Sequence, residues 1–120
     1  MPKIKRFIFV ILKIHVFKTP FRVLTAYITK NSKGIKSISM WNGIVIYLSD
    51  NCDDVSTVIG QFLINDYGTI NKNAVVIDIG ANIGVFSIYA GLKHNIKVYA
   101  FEPEVNSFID LAKTIKLNKT

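Results

Sequence analysis

Val75 to Ile79 reads VVIDI, four β-branched residues and one acid, and runs directly into a loop with glycine at 80 and 84. An unbroken apolar run of this length predicts a parallel strand buried on both faces. Parallel strands cannot be joined by a tight turn and need a crossover, usually a helix. The residues that follow supply one. Val85 to about His94 reads as helix, Lys97 to Phe101 as a second strand, and Glu104 to about Leu117 as a further helix. In that last segment Val105, Phe108, Ile109, Ala112 and Ile115 recur at helical spacing. Strand, helix, strand, helix is a βαβα unit and places the chain in the α/β class.

Upstream, the pattern is of another kind. A first helix is expected to end near Lys18. Thr19-Pro20 then reads as an N-cap with proline at the first helical position, and Phe21, Leu24, Tyr27 and Ile28 give a second short helix. Ile38 and Met40 alternate with serines, Asn42-Gly43 follows, then Ile44, Ile46 and Leu48. That predicts a β-hairpin closed by a type I′ turn, in which both central residues have positive φ. Asp54 is placed to cap a helix from Val55 to about Tyr67, with Val55, Val58, Ile59, Phe62 and Leu63 on one face. The chain thus divides into an arm (1–36), a hairpin-and-helix lead-in (37–73) and the βαβα segment (74–120).

Half of the 120 residues are apolar and 19% are charged, which excludes a disordered chain. A single cysteine excludes a disulfide framework and, with two scattered histidines, a Cys/His zinc cluster. The net charge of +7 is unevenly placed. Residues 1–36 hold nine bases and no acid; the remainder holds six bases and all eight acids. The arm reads first as a packed helix with solvated lysines. Its second reading is peripheral contact, through Met1 to Arg22, with an anionic membrane surface. Nucleic acid is not expected, because no recognition motif accompanies the charge. The apolar run Phe7 to Leu12 is too short for a signal peptide or a span. A cytoplasmic protein, membrane-peripheral at most, is the expectation.

The chemistry lies at VIDIGANIG, Val76 to Gly84, and YAFEP, Tyr99 to Pro103. Gly80 and Gly84 let the chain turn tightly and approach a ligand closely. The helix that begins near Gly84 points unpaired N–H groups at the crevice, where ligands of open parallel sheets sit. Glu102, at the end of the second strand, can accept two hydrogen bonds from ribose hydroxyls. Charge-assisted bonds of this kind are worth about 1.5–3 kcal/mol each. The spacing departs from the dinucleotide fingerprint G-x-G-x-x-G: Asn82 stands where the second glycine belongs, and a side chain there obstructs a pyrophosphate. Asp78 adds negative charge, unwelcome beside a diphosphate and useful beside an ammonium. S-adenosylmethionine carries an ammonium, a sulfonium and a ribose but no phosphate, so the residues favour it over NAD. The alternative for Gly80, Gly84 and Glu102 is an ordinary strand-to-helix turn with an exposed acid. For Asp78 it is a structural carboxylate. Tyr67 and Asp66 read as packing and capping groups, and Cys52 as an inert loop thiol.

D-x-G-x-N-x-G before a helix, with an acid ending the next strand, resembles motif I and the ribose contact of class I S-adenosylmethionine-dependent methyltransferases. VIDIGANIGVFSIYA and VYAFEPE, led in by NGIVIYLSDNCDDVSTVIGQFLINDYG, resemble more closely the FkbM-type methyltransferase family. The resemblance runs from Asn42 to Asn118. It implies a Rossmann-like fold of which this chain holds the N-terminal part. It also implies transfer to a hydroxyl of a small molecule or glycan. Gly80, Ala81, Asn82 and Gly84 would then surround the methionine moiety, Asp78 would hold its amino group through water, and Glu102 would bind the ribose. No acceptor residue or general base is legible, and the oligomeric state is not either. The family's later strands are missing, so the chain is expected to be truncated. The competing reading is an inactive remnant that associates with membranes or partners through its basic arm. The sequon Asn118-Lys119-Thr120 is taken as chance.

Overall fold

A computed structural model describes residues 1–51 and 53–118, the side chain at position 93 aside; Cys52 and the sequon's Lys119 and Thr120 lie outside them. The arm begins as α1 (Lys3–Lys13) and tightens into one 3-10 turn over Ile14–Val16. It stops short of Lys18 because the next residues run extended along the hairpin. Phe17 bridges Met40, Lys18 N–H donates to Ser39 O (2.9 Å), and Trp41 N–H donates to Val16 O (3.1 Å). α2 (Pro20–Thr29) has proline at its start, as expected, but the Thr19 hydroxyl makes no capping bond. Its buried residues are Val23 and Ala26, while Phe21 and Ile28 face solvent. Both stripes have helical period, so spacing alone could not choose between them.

β1 (Ser37–Ser39) and β2 (Val45–Tyr47) pair antiparallel, and Ile38, Met40, Ile44, Ile46 and Leu48 are buried as the alternation requires. The turn between them is not type I′. Only Gly43 has positive φ (+91°), Met40 N–H donates to Ile44 O (2.9 Å), and Gly43 N–H donates to Met40 O (3.1 Å). This is a three-residue loop with glycine at its left-handed position. Asn42 spends its side chain on the Ile44 N–H (3.1 Å) rather than adopting positive φ itself.

α3 (Asp54–Ile59) continues as a π turn, Gly60–Ile64, and ends at Asn65 in the left-handed region (φ +61°). Val55, Val58, Ile59 and Leu63 are buried, as the pattern predicts. Asp54 is not the cap. It lies inside the first turn, 2% exposed, and accepts hydrogen bonds from Ser49 N–H (2.7 Å) and Ser49 Oγ (2.6 Å). Its carboxylate fastens the end of the hairpin to α3. Burial raises its pKa above the ordinary aspartate range, against the two Ser49 bonds, which lower it.

β3 (Val75–Ile79), α4 (Val85–Ile88, continued as a π turn over Tyr89–Lys93), β4 (Lys97–Phe101) and α5 (Val105–Leu117) form the βαβα segment. β3 and β4 pair in parallel with Val75 opposite Lys97 and Ile79 opposite Phe101. The described residues form two two-stranded sheets in a mixed α/β chain. The expectation that β3 is buried on both faces fails. Val75, Ile77 and Ile79 are exposed, as are Tyr99 and Phe101 beside them, because among the described residues no element packs on that face. α5 buries Leu111 and Thr114; of the predicted face Ile115 packs partly against the core, while Val105, Phe108 and Ile109 are open. The rotation has a polar cause. Thr114 Oγ1 accepts from Tyr47 N–H (3.0 Å), and one turn on, Asn118 Oδ1 accepts from Val45 N–H (2.8 Å) while its amide donates to Val45 O. A side chain of α5 and that of its C-cap residue thus occupy the free edge of β2, as a strand would. One apolar core runs from Val10 and Phe17 through the hairpin and α3 to Ile83, Val85 and Ile88.

Two outcomes follow from these contacts. Thr114→Val keeps shape but orphans the Tyr47 N–H, and is expected to cost about 1–3 kcal/mol in urea unfolding; an unchanged midpoint would show that the edge contact does not matter. Asp54 has its pKa raised by folding, so its contribution is fully present below the unfolded aspartate pKa and is lost as pH rises through the folded value. The stability of Asp54→Asn relative to the unmodified chain is therefore expected to increase from acid to neutral pH. A difference that stays flat with pH would refute the shift.

Candidate functional site

The parallel register sets the carboxyl ends of β3 and β4 side by side, and the loop after β3 folds over the end of β4. Gly80 and Ala81 both donate backbone N–H to Phe101 O (2.8 and 3.0 Å). Gly80, Asn82 and Gly84 have φ of +79°, +52° and +91°. Alternating left-handed residues wind the loop into a tight coil, which Gly84 N–H closes onto Ala81 O (2.9 Å). The two glycines answer different needs. A Cβ at Gly80 would meet nothing within 4 Å, so its face is open to a ligand. A Cβ at Gly84 would collide with the buried Leu111 side chain, so this glycine lets α5 press against the loop.

Glu102 sits at the end of β4 and is half-buried. Its Oε2 accepts from Asn82 N–H (2.7 Å) and its Oε1 from Glu104 N–H (2.8 Å). The acid therefore clamps the glycine loop to the strand end. A carboxylate has about four acceptor positions, so two remain for a ligand. Glu104 in turn caps α5, accepting from Asn106 N–H (3.1 Å) and Ser107 N–H (2.7 Å), and these bonds hold its pKa below the usual glutamate range.

Asp78, on β3, accepts a hydrogen bond from Ser87 Oγ (2.6 Å) on α4. Sequence reasoning passed over Ser87. The signal was a lone hydroxyl in the apolar segment Val85-Phe86-Ser87-Ile88. Asp78, Gly80, Ala81 and Asn82 together line a cavity of about 560 Å³, completed by Thr57, Tyr67, Ile77, Val85 and Phe86 among others. That volume is in the range of small-molecule and cofactor sites. Neither Gly84 nor Glu102 is part of its lining; Glu102 is linked to it through its bond to the Asn82 N–H. Tyr67, read as a packing residue, is exposed on the cavity rim with its ring 5.1 Å from that of Phe86. Asp66 does not cap a helix. It forms a two-point ion pair with Arg6 of α1 (3.0 Å each), which raises the Arg6 pKa and ties the arm to the segment carrying Tyr67. Gly60 makes room for it, since a Cβ there would strike the Asp66 carboxylate.

The chain is related to a methyltransferase. It is 37% identical over 54 residues to methyltransferase sdnD of Sordaria araneosa, an overlap of 44% of this chain and 21% of that protein. The matched stretch is thus about a fifth of the relative's length. No family model and no solved structure matches the chain.

Gly84→Ala tests the loop geometry. Positive φ and the Leu111 contact together are expected to cost about 1–3 kcal/mol in thermal or urea unfolding. In a Leu111→Ala background the steric part is relieved, and the added cost of Gly84→Ala should fall to about 1 kcal/mol. Equal costs in both backgrounds would show that α5 does not press on the loop.

Proposed function

We propose that the chain carries the S-adenosylmethionine half of a methyltransferase site, built on a Rossmann-like βαβα unit. The observation that carries this reading is the fate of the loop's backbone donors. Gly80 and Ala81 N–H are taken by Phe101 O, Asn82 N–H by the Glu102 carboxylate, and Gly84 N–H by Ala81 O. A phosphate site needs such N–H groups free and pointing at the anion. These four are spent, one of them on a fixed negative charge. The residues fit a cationic, hydroxylated, phosphate-free ligand better than a dinucleotide, which also disfavours NAD. The related methyltransferase supports the same class of reaction.

In this reading the spare acceptor positions of Glu102 take the ribose hydroxyls. The open face of Gly80, with Ala81 and Asn82, lies along the methionine moiety. Asp78, oriented by Ser87, places its second oxygen toward the ligand's ammonium. The cofactor, when bound, supplies an electrophilic methyl group on sulfonium. The protein's task is then alignment with an acceptor, because in-line displacement depends chiefly on orientation. The resemblance to FkbM-type enzymes extends the proposal to a hydroxyl oxygen of a small molecule or glycan as acceptor. No residue described here is assigned as its general base.

Titration calorimetry of the gene product tests the reading. S-adenosylmethionine is expected to bind, NADH is not, and Glu102→Ala should weaken S-adenosylmethionine at least tenfold, about 1.4 kcal/mol. Glu102→Gln, which keeps an acceptor for one of the two N–H groups, serves as the folded control and should also lose affinity. Unchanged affinity in both variants would remove the ribose assignment, and preferential NADH binding would remove the cofactor.

A further inference from the structure

The arm exposes an apolar surface whose orientation the fold determines. Val10 is fully buried in the core and Arg6 is held by Asp66, so the rotation of α1 about its axis is set. At about 100° per residue, the opposite side of the helix is a continuous arc of Phe7, Ile11, Ile4, Ile8 and Leu12. All five are 40–76% exposed. Lys3 and Lys5 flank the arc on its two sides. Expectation from sequence was a packed helix with solvated lysines. Instead, α1 packs along one narrow edge and leaves its widest apolar face in water, which a folded chain does not do at random.

We propose that this arc is a docking surface for an anionic lipid bilayer, in which α1 lies parallel to the membrane plane. Charge complementarity decides the occupant. Residues 1–36 carry nine bases and no acid, and the arc's borders are lysines. A second copy of the chain would bring two such surfaces of the same sign together, at an electrostatic cost. An apolar arc bordered by cations is the pattern of interfacial helices, whose apolar face enters the headgroup–acyl boundary while lysines meet anionic headgroups. The helix is about 16 Å long, far short of the roughly 30 Å hydrocarbon thickness, so it lies on the surface. Among the described residues no helix is long and apolar enough to cross a membrane. Trp41, in the hairpin loop bonded to Val16 O, is exposed, with Lys18 Nζ 5.8 Å from its ring centroid. That pairing suits the interface, where indole rings concentrate.

Co-sedimentation of the chain with vesicles tests the proposal, using pure phosphatidylcholine and a 7:3 mixture with phosphatidylserine. At least tenfold stronger binding to the mixture is expected, weakened by 0.5 M salt. Ile8→Asp, at an exposed position that should leave the circular dichroism melt unchanged, should reduce that binding at least tenfold. Lys3→Glu together with Lys5→Glu should reduce it too. No binding to the anionic vesicles, or equal binding to both kinds, overturns the proposal. So does binding indifferent to Ile8→Asp, which would leave charge alone at work. A concentration-dependent dimer that Ile8→Asp dissolves would also overturn it, by assigning the arc to a second copy. None of these outcomes depends on cofactor binding, so the arm and the candidate site stand or fall separately.

Discussion

The parallel pairing of β3 and β4 is the constraint on which the candidate site depends. Antiparallel strands would have sent the glycine loop and Glu102 to opposite ends of the sheet. Parallel strands in the observed register, with Ile79 opposite Phe101, put both at one end. The rest is hydrogen-bond accounting. The Phe101 carbonyl has no strand partner beyond Ile79, so it takes the N–H groups of Gly80 and Ala81. The coil that results carries Asn82 N–H to the Glu102 carboxylate. Hydrogen bonds thus join a strand end, a glycine loop and an acid into one unit.

A two-stranded sheet is not stable by itself in water, and here the stabilising contacts come from the other half of the chain. Ile83, Val85 and Ile88 enter the core built by the arm, the hairpin and α3. Leu111 presses on the loop at Gly84, and Thr114 and Asn118 pair with the β2 edge. The loop geometry therefore depends on the hairpin: α5 is clamped to β2 at its carboxyl end and braces Gly84 a turn earlier. Asp54 does comparable work on the other side, where a buried carboxylate joins the hairpin's exit to α3.

What the sequence disclosed and what it hid divide along physical lines. Periodicity and glycine placement revealed the order of elements, the hairpin's buried alternation and the positions of Gly80, Gly84 and Glu102, because these depend on local rules. Which face of α2 or α5 turns inward was not legible. Phe21 and Val23, or Ile109 and Leu111, belong to stripes of equal periodicity, and the choice was made by β2's unpaired N–H groups and by the core. Asp54 and Asp66 were misread for the same reason. An acid near a helix end looks like a cap until another partner, Ser49 five residues back in one case and the distant Arg6 in the other, claims it. Ser87 lay in view but carried no meaning until the fold set it against Asp78.

The exposed apolar surfaces of α1 and of the β3–β4 face differ in a way that separates lipid from protein as a cover. The face of β3 and β4 shows Val75, Ile77, Ile79, Tyr99 and Phe101, with Lys97 as its one cation. Each of its strands also has an edge whose N–H and C=O groups no other described strand pairs. Hydrocarbon does not tolerate unpaired backbone, so this face is unsuited to lipid. α1 is the opposite case. Its interior backbone groups are paired within the helix, its apolar arc is flanked by lysines, and no acid lies within 1–36. The same degree of exposure thus has two meanings, distinguished by backbone pairing and by charge. The Arg6–Asp66 pair joins α1 to the segment that ends in Tyr67, on the rim of the candidate cavity. A bilayer that holds the arm would consequently hold that rim at a defined height above the lipid surface.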